Sequence, residues 1–407
     1  MTLPDLTTDV LDAQRDEQRR RAVRALLRHP LLTPAGPDAE AFLLARRHAG
    51  WLADWFGREA GWSLHADAGA VRLRKLPGAN SDPTRGVAAS TGSKPPFSRR
   101  RYVLACLALA ALERGESQVT LGWLVDRVVA LAADPALAEA GIAFTLDTRE
   151  ERGDLVAVAR LLLAAGVLVK VAGDEQAFVN RSGNALYDVD RRVLATLLVV
   201  RRGPSTVAGA DFDDRLRALT EDVRPETEDA RNRALRHRLA RRLLDDPVIY
   251  LANLDDDERA YLSSQRAHLL RRLTDGTGFV AEVRAEGIAL LDPTGEATDL
   301  GMPEEGTDGH VTLLLAEYLA AALRHRPGGP VASAELHAHV AAIAPRFRAY
   351  WRKSSTDPGA ERELTAQALG RLAALGLVRA DGDGVRALPA LARFAHAQPV
   401  LLGEAPP

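Results

Sequence analysis

The chain has 407 residues, of which 46% are hydrophobic and 27% are charged. This composition excludes a disordered or collagen-like chain, and the length predicts two or three domains. The 53 basic and 55 acidic residues give a formal net charge of −2, which excludes a highly basic nucleic-acid binder but leaves room for a local basic patch. A single cysteine, Cys106, excludes a disulfide framework and any thiolate-based zinc site. Because the first residues show no secretory signal pattern and no apolar run is long enough to span a bilayer, we expect a cytoplasmic protein without membrane contact.

Residues 1–76 are predicted to form an N-terminal region of helices and one hairpin. Helical periodicity covers 15–28 and 38–60, with a turn rich in proline and glycine between them. Alternating apolar residues over 62–66 and 70–75 then predict two paired strands.

The stretch 77–98 separates this region from the next one. Pro, Gly, Ser and Thr dominate it, so it is predicted to be a flexible linker that buries little surface. A first winged-helix domain is predicted over 99–200, because three helices precede a two-stranded hairpin there. The apolar spacing predicts these helices over 102–113, 121–133 and 154–165.

Two details of this first domain carry specific expectations. Val103, Cys106, Leu107 and Ala110 are assigned to one apolar face of the first helix, so Cys106 is predicted to be a core thiol rather than a nucleophile. The hairpin is predicted to pair the segments LVKV and AFV across a turn at 173–174.

The same order recurs near the C-terminus, where a second winged-helix domain is predicted over 308–396. The segments RLLLAAGVLVKVAGDEQAFV and RLAALGLVRADGDGVRALPA share the frame RL..L..G before a hairpin, which indicates an internal repeat. Between the two domains, 201–307 is predicted to be a helical connector with its own hairpin, and 397–407 a tail. The fold class is therefore predicted to be mainly α with small β-hairpin wings, an α+β chain of tandem winged-helix domains.

No sequence pattern of catalysis emerges. The chain lacks the P-loop, dinucleotide-binding, zinc-protease and serine-hydrolase motifs. His337 and His339 lie two residues apart on a predicted helix, so they do not share a face and make poor metal ligands. The acidic run 255–258 is better explained as a helix capping box than as a metal site. We therefore predict that the protein is not an enzyme and has no catalytic residue, metal or cofactor.

Three basic clusters are the candidates for DNA contact through backbone phosphates. Each has a structural alternative, namely the exposed first turn of a helix, a solvated amphipathic helix paired with nearby acids, or a loop anchored by interleaved aromatic side chains. The candidate residues are Arg99, Arg100 and Arg101, then Arg231, Arg238 and Arg242, and finally Arg346, Arg348, Arg352 and Lys353.

The third helix of each predicted winged-helix domain begins with acidic residues. Glu150, Glu151 and Asp154 lie at the start of the first, and Glu361 and Glu363 at the start of the second. Carboxylates near phosphates are repelled, so these helices are not expected to read bases in the major groove. The pattern favours DNA contact without sequence specificity, together with assembly with other proteins.

Several strings spread over most of the chain carry a family resemblance. They are RRRAVRALLRHPLLT at 19–33, WF....GW.L at 55–64, RLRK at 72–75, PFSRRRYVLACLALAALER at 96–114, DLVAVARLLL at 154–163, GDEQAFV at 173–179, ALYDVDRR at 185–192, RGPST at 202–206 and DPVIYLANLDDDERAYL at 246–262. On these strings the chain resembles the MukE-like, or kite, subunit of type II Wadjet complexes, which are SMC-type plasmid-defence assemblies.

The resemblance implies a non-catalytic tandem winged-helix subunit that forms a homodimer and binds the kleisin. Its other partners would be an SMC-like ATPase and a toprim-type nuclease of the same complex. Such a subunit helps clamp double-stranded DNA, without sequence specificity, in anti-plasmid and anti-phage defence. The resemblance transfers no residue-level DNA contact. The alternative is a free-standing winged-helix transcription regulator, which would bind a short operator tightly and alone.

Overall fold

The structure is a computed structural model that describes residues 3–78, 82–87, 96–180, 182–197, 203, 206–207, 211–220 and 227–394. Helices predominate in this part of the chain, and small three-stranded antiparallel sheets accompany them, so the chain is of the α+β class. It divides into two compact units, Met1–Val223 and Arg224–Pro407. The predicted tail 397–407 and much of the predicted linker lie outside the described residues.

The first unit begins with a small helical module closed by a sheet. Its elements are α1 (Leu3–Arg28), β1 (Leu31–Leu32), α2 (Ala39–Arg47), α3 (Ala49–Ala60), β2 (Ser63–Ala66) and β3 (Val71–Arg74). The strands pair in the order β1-β3-β2, which confirms the predicted hairpin and adds a short third strand to it. Trp62, Phe56 and Leu26 are buried in the core of this module.

The prediction of a single helix over 38–60 was wrong. Asp38 caps α2 by accepting a hydrogen bond from the amide of Ala41, but the chain leaves helical geometry at His48, which ends α2 and begins α3. The apolar periodicity runs on across His48, so spacing alone does not reveal the break. Helix α1 also begins at Leu3, well before the predicted start at residue 15.

A second module follows in the same unit. Its elements are α4 (Arg99–Arg114), β4 (Gln118–Thr120), α5 (Leu121–Ala132), α6 (Pro135–Glu139), α7 (Arg149–Ala164), β5 (Leu168–Gly173), α8 (Glu175–Val179), β6 (Ala185–Val189) and α9 (Arg191–Thr196), with α10 (Phe212–Thr220) after it. The strands pair in the order β4-β6-β5. The predicted helices are confirmed, and the apolar stripe of α7 packs into the module's core.

Two detailed predictions for this module were wrong. The segment AFV lies in helix α8, because Asp174 caps that helix through the amide of Gln176, and the true partner of β5 is the later strand ALYDV. On α4 the buried stripe is shifted by about one residue from the predicted one, so Cys106 is exposed rather than a core thiol. Helix α4 is apolar nearly all round, so its buried stripe is set by packing against α5 and α7 rather than by periodicity.

The second unit repeats this architecture. Its elements are α11 (Glu228–Asp245), β7 (Ile249–Tyr250), α12 (Asp256–Thr277), β8 (Val280–Val283), β9 (Gly287–Leu291), α13 (Gly306–His325), β10 (Pro330–Ala332), α14 (Ser333–Phe347), α15 (Ala360–Ala374), β11 (Val378–Asp381) and β12 (Gly384–Ala387). The predicted capping box at α12 is confirmed, since Asp255 and Glu258 exchange side-chain and backbone hydrogen bonds. The two predicted hairpins are confirmed as well.

One strand order recurs in all four sheets of the described residues. In each, a short strand after a helix takes one edge, and the last strand of a later hairpin lies in the middle, giving β1-β3-β2, β4-β6-β5, β7-β9-β8 and β10-β12-β11. In the last of these sheets, the backbones of β10 and β12 come close together at Gly384. A Cβ atom at that position would clash with the carbonyl oxygen of Val331, so the pairing requires glycine there. The internal repeat therefore extends to the strand order of every described sheet.

A polar trio built on two buried residues, Tyr187 and Glu175, fixes helix α8 against the sheet of the second module. The Tyr187 hydroxyl donates to Glu175 Oε1 at 3.0 Å, and Lys170 Nζ lies 3.1 Å from Glu175 Oε2. Burial, together with the hydrogen bond to Glu175, raises the pKa of Tyr187 above its ordinary value. We expect Tyr187→Phe to lower the free energy of unfolding by about 1–3 kcal/mol, because it leaves a buried carboxylate oxygen without its donor. Hydrogen exchange of the β5 and β6 amides measures this locally, without assuming two-state unfolding of a two-unit chain.

Lys170→Gln is the matched control for that substitution. It removes the more exposed arm of the same trio, so its cost should stay below about 1 kcal/mol. Equal costs for the two variants would show that the hydroxyl of Tyr187 contributes no more than a surface ion pair.

Candidate nucleic-acid interface

The third basic cluster covers the last turn of α14, which holds Arg346, and the loop that leads from it toward α15. We call this segment the 346–353 loop. Trp351 is buried, and its Nε1 donates to His310 Nδ1 at 3.1 Å. The amide of Arg352 donates to Thr307 Oγ1 at 2.7 Å. Both contacts hold the loop to the first turns of α13, so its exposed side chains extend from a fixed backbone.

The four basic residues of this loop divide into one structural and three free side chains. Arg352 Nη1 lies 2.7 and 2.9 Å from the two carboxylate oxygens of Asp308, so its charge is already paired. Arg346, Arg348 and Lys353 are exposed, and within the described residues none of them forms an ion pair. Arg346 lies over a neighbouring aromatic ring, with its guanidinium carbon 5.3 Å from the ring centroid.

The aromatic residues of the loop divide in the same way. Phe347 and Trp351 stack on each other and contact His310, which makes them anchors, as the structural alternative proposed. Tyr350 instead is 84% exposed. Three unpaired cations and one exposed phenol on an anchored loop form a surface that can donate hydrogen bonds and positive charge to phosphate oxygens.

The first cluster serves the fold instead. Arg100 Nε donates to Asp154 Oδ2 at 2.6 Å, and Arg101 Nε donates to Asp154 Oδ1 at 2.7 Å, so two arginines hold one buried carboxylate. Hydrogen bonding to Asp154 raises the pKa of Arg100. Arg99 is the one member that stays exposed and unpaired in the described structure. The alternative of an exposed first helical turn is therefore wrong for Arg100 and Arg101. Their charge is paired with Asp154 and is not available to DNA.

The same geometry changes the argument about the acidic start of α7. Asp154 is buried, and Glu150 Oε1 accepts a hydrogen bond from Arg100 at 2.7 Å. Burial alone would raise the pKa of Glu151, but hydrogen bonds from the amides of Thr148 and Thr145 outweigh it and lower that pKa. The module itself partly compensates these carboxylates, so the expected repulsion of phosphates at the start of α7 is weaker than the sequence alone suggests.

The second cluster on α11 is mostly paired as well. Arg238 lies 2.8 Å from both Asp255 and Glu258, and Arg242 lies 3.4 Å from Asp246. The acids that bind Arg238 are therefore those of the α12 capping box, and Asp246, next to the end of α11, binds Arg242. Arg231 is exposed, and the described structure shows no ion pair for it. The alternative of a solvated, paired helix explains Arg238 and Arg242.

Of the two histidines considered as metal ligands, His339 has a structural role. His339 stacks on Tyr318 with ring centroids 4.1 Å apart, and burial lowers its pKa. Among the residues that the structure describes, no three His, Cys, Asp or Glu side chains are placed to hold a metal ion. None of the helices in this part of the chain is both long and apolar enough to cross a membrane.

Residues 23–397 match a family described as a protein of unknown function, DUF2398. The chain belongs to this family. The match includes all three basic clusters and all four sheets of this DUF2398 chain. No curated protein and no solved structure matches it.

The basic residues of this DUF2398 protein differ in how available their charge is to an anionic partner. Arg100, Arg101, Arg238, Arg242 and Arg352 are bound to carboxylates of the chain itself. The 346–353 loop retains three unpaired cations close together in sequence, more than either other cluster. It is therefore the strongest of the three predicted sites for an anionic partner.

Proposed function

We propose that this protein is a non-catalytic, kite-type subunit of an SMC-like complex that binds a kleisin and helps clamp DNA in anti-plasmid and anti-phage defence. The observation that supports it most is the recurrence of helix, short strand, helices and hairpin with one strand order in every described sheet. We interpret these modules as winged-helix domains. The resemblance to the MukE-like subunit of type II Wadjet complexes gives them their place in such a machine.

The DNA contact in this proposal is electrostatic. The 346–353 loop offers Arg346, Arg348 and Lys353 to the phosphate backbone, and Arg352 fixes the loop to the protein. Backbone contacts of this kind carry no sequence information, so they suit a clamp that must act on any plasmid.

The kleisin contact in this proposal is apolar. Val169 and Val171 are 43% and 48% exposed on β5, which is an edge strand of the wing of the second module. An edge strand with exposed apolar side chains is a surface that an extended segment can cover. The protein would act as a homodimer, while the SMC-like ATPase and the toprim-type nuclease would supply ATP hydrolysis and DNA cleavage.

Binding of the isolated protein to short duplexes tests the DNA part of this proposal. We expect weak binding that is equal for unrelated sequences, and a log–log salt dependence that steepens by roughly 0.9 for each phosphate neutralised. Tight selection of one operator from a random pool would contradict the proposal and favour the free-standing winged-helix regulator.

A further inference from the structure

A second cationic surface lies on the sheet of the N-terminal module, outside the three predicted clusters. Arg72 and Arg74 alternate with the buried residues Val71 and Leu73 on β3, so both arginines lie on the outer face of the sheet. Strand β3 is the middle strand, and His65 of β2 lies opposite Arg72 on that face. The motif RLRK at 72–75 therefore places two guanidinium groups side by side on a rigid strand, about 6.6 Å apart along it.

Neither guanidinium has an anionic partner in the described part of the chain. Both side chains are half-buried, and the Nε atoms of Arg72 and Arg74 are buried without a hydrogen-bond acceptor. The nearest acid in this hairpin, Asp67, accepts hydrogen bonds from the amides of Gly69 and Ala70 and from His65. Burial, and then the charge of Arg74, lower the pKa of Arg72.

Ordinary packing does not explain this arrangement. An arginine that only covers apolar surface with its stem keeps its guanidinium in water. Here the Nε atom of each arginine has lost water without gaining an acceptor, and the charge of Arg74 disfavours that of Arg72, so the pair carries an electrostatic cost in the free protein. A partner that supplies acceptor oxygens and negative charge removes both costs.

The surroundings favour an extended polyanion over a single carboxylate. Arg192 of α9 lies against the turn of the same hairpin, with its Cδ 3.7 Å from where a Cβ of Gly69 would be. It is exposed, and its guanidinium too has no acidic partner among the described residues. Three unpaired guanidinium groups on one hairpin and its neighbour match a chain of regularly repeated negative charges.

We propose that Arg72 and Arg74 form a second phosphate-backbone contact for nucleic acid, continued by Arg192 at the hairpin turn. This inference deepens the proposed function, on which the choice of duplex DNA rests. The first unit would then grip the duplex at a site separate from the 346–353 loop of the second unit.

The double variant Arg72→Gln/Arg74→Gln tests this site in the full-length protein. The probe is a mixed-sequence duplex of about 30 base pairs, and the readout is affinity as a function of salt. We expect the log–log salt slope to become shallower by about 1.8, with affinity at about 0.1 M salt reduced tenfold or more. Thermal stability should be unchanged or higher, because an unfavourable charge pair is removed.

The control Arg47→Gln/Arg114→Gln removes an equal number of positive charges, two, from exposed positions of the first unit that make no ion pair in the described structure. It should leave affinity and slope close to those of the wild type. An Arg72→Gln/Arg74→Gln protein that binds the duplex like this control would overturn the proposal, as would a wild-type protein that does not bind the duplex. A large loss of thermal stability in the Arg72→Gln/Arg74→Gln protein would overturn it too, by showing a structural role.

The second probe is poly-glutamate whose total negative charge matches that of the duplex. Loss of poly-glutamate binding with unchanged duplex binding would assign the pair to an acidic protein segment and overturn the proposal. Failure of the proposed function has a different signature. In that case no SMC-like ATPase or kleisin accompanies the protein, while the duplex result for Arg72 and Arg74 still holds.

Discussion

Replacing Asp154 by alanine is expected to destabilise the second module by about 3 kcal/mol. The carboxylate is buried and holds both Arg100 and Arg101, so its loss removes their shared counter-charge. Arg100 then keeps the exposed Glu150, and Arg101 has no acidic partner in the described structure. The value lies at the low end for broken buried pairs, because Arg100 keeps 30% of its side chain in solvent and can regain water. Hydrogen exchange of the α4 and α7 amides measures the effect locally, which avoids assuming two-state unfolding of a two-unit chain.

Glu150→Ala is the matched control for this prediction. Glu150 binds the same arginine, Arg100, but its side chain is 79% exposed, so its removal should cost less than about 1 kcal/mol. If the two variants show the same exchange rates in α4 and α7, the arginine pair does not hold the module together. In that event the first cluster becomes available again as a DNA contact.

Reversing the three free charges of the 346–353 loop is expected to abolish most of its contribution to DNA binding. For Arg346→Glu/Arg348→Glu/Lys353→Glu we expect a salt slope shallower by about 2.7 and a loss of affinity of roughly 100-fold at physiological salt. The free energy of unfolding should change by less than about 1 kcal/mol, because these side chains make no ion pair in the described structure and the contact of Arg346 with the neighbouring aromatic ring is at an exposed site. Duplex binding by the assembled complex is the measurement, with assembly checked by size-exclusion chromatography.

Arg352 is left out of that variant on structural grounds. Its guanidinium binds Asp308, so its reversal would detach the loop and confuse a loss of fold with a loss of contact. The matched control reverses three exposed arginines of the same unit that lack an acidic partner in the described structure, namely Arg266, Arg271 and Arg324. Equal losses in both triple variants would mean that only net charge matters, and the loop would then not be a specific contact surface.

Several local features of this fold could be predicted from the sequence, although the break at His48 and helix α8 could not. The apolar spacing of α7, the glycine after it and the capping box of α12 all depend on residues within a few positions of each other. The repeat of helices and hairpins follows from the same local signals. What periodicity does not determine is which stripe of the nearly all-apolar α4 faces the core, so the prediction for Cys106 was wrong.

The status of the basic residues could not be predicted for a different reason. Asp154 is more than 50 residues from Arg100 and Arg101 in sequence, and Asp308 is 44 residues from Arg352. A run of arginines looks the same in the sequence whether a distant strand or helix supplies its carboxylates or not. The pair Arg72 and Arg74 shows the converse, since a short ordinary string becomes a candidate site only once its lack of partners is visible.

The most direct test of the central claim is to isolate the tagged protein from its own cells and identify what accompanies it by mass spectrometry. We expect an SMC-like ATPase and a kleisin in fixed ratio to this chain, and loss of resistance to plasmid entry when the chain is deleted. A protein that purifies without either of them, and whose deletion leaves plasmid entry unchanged, would contradict that claim.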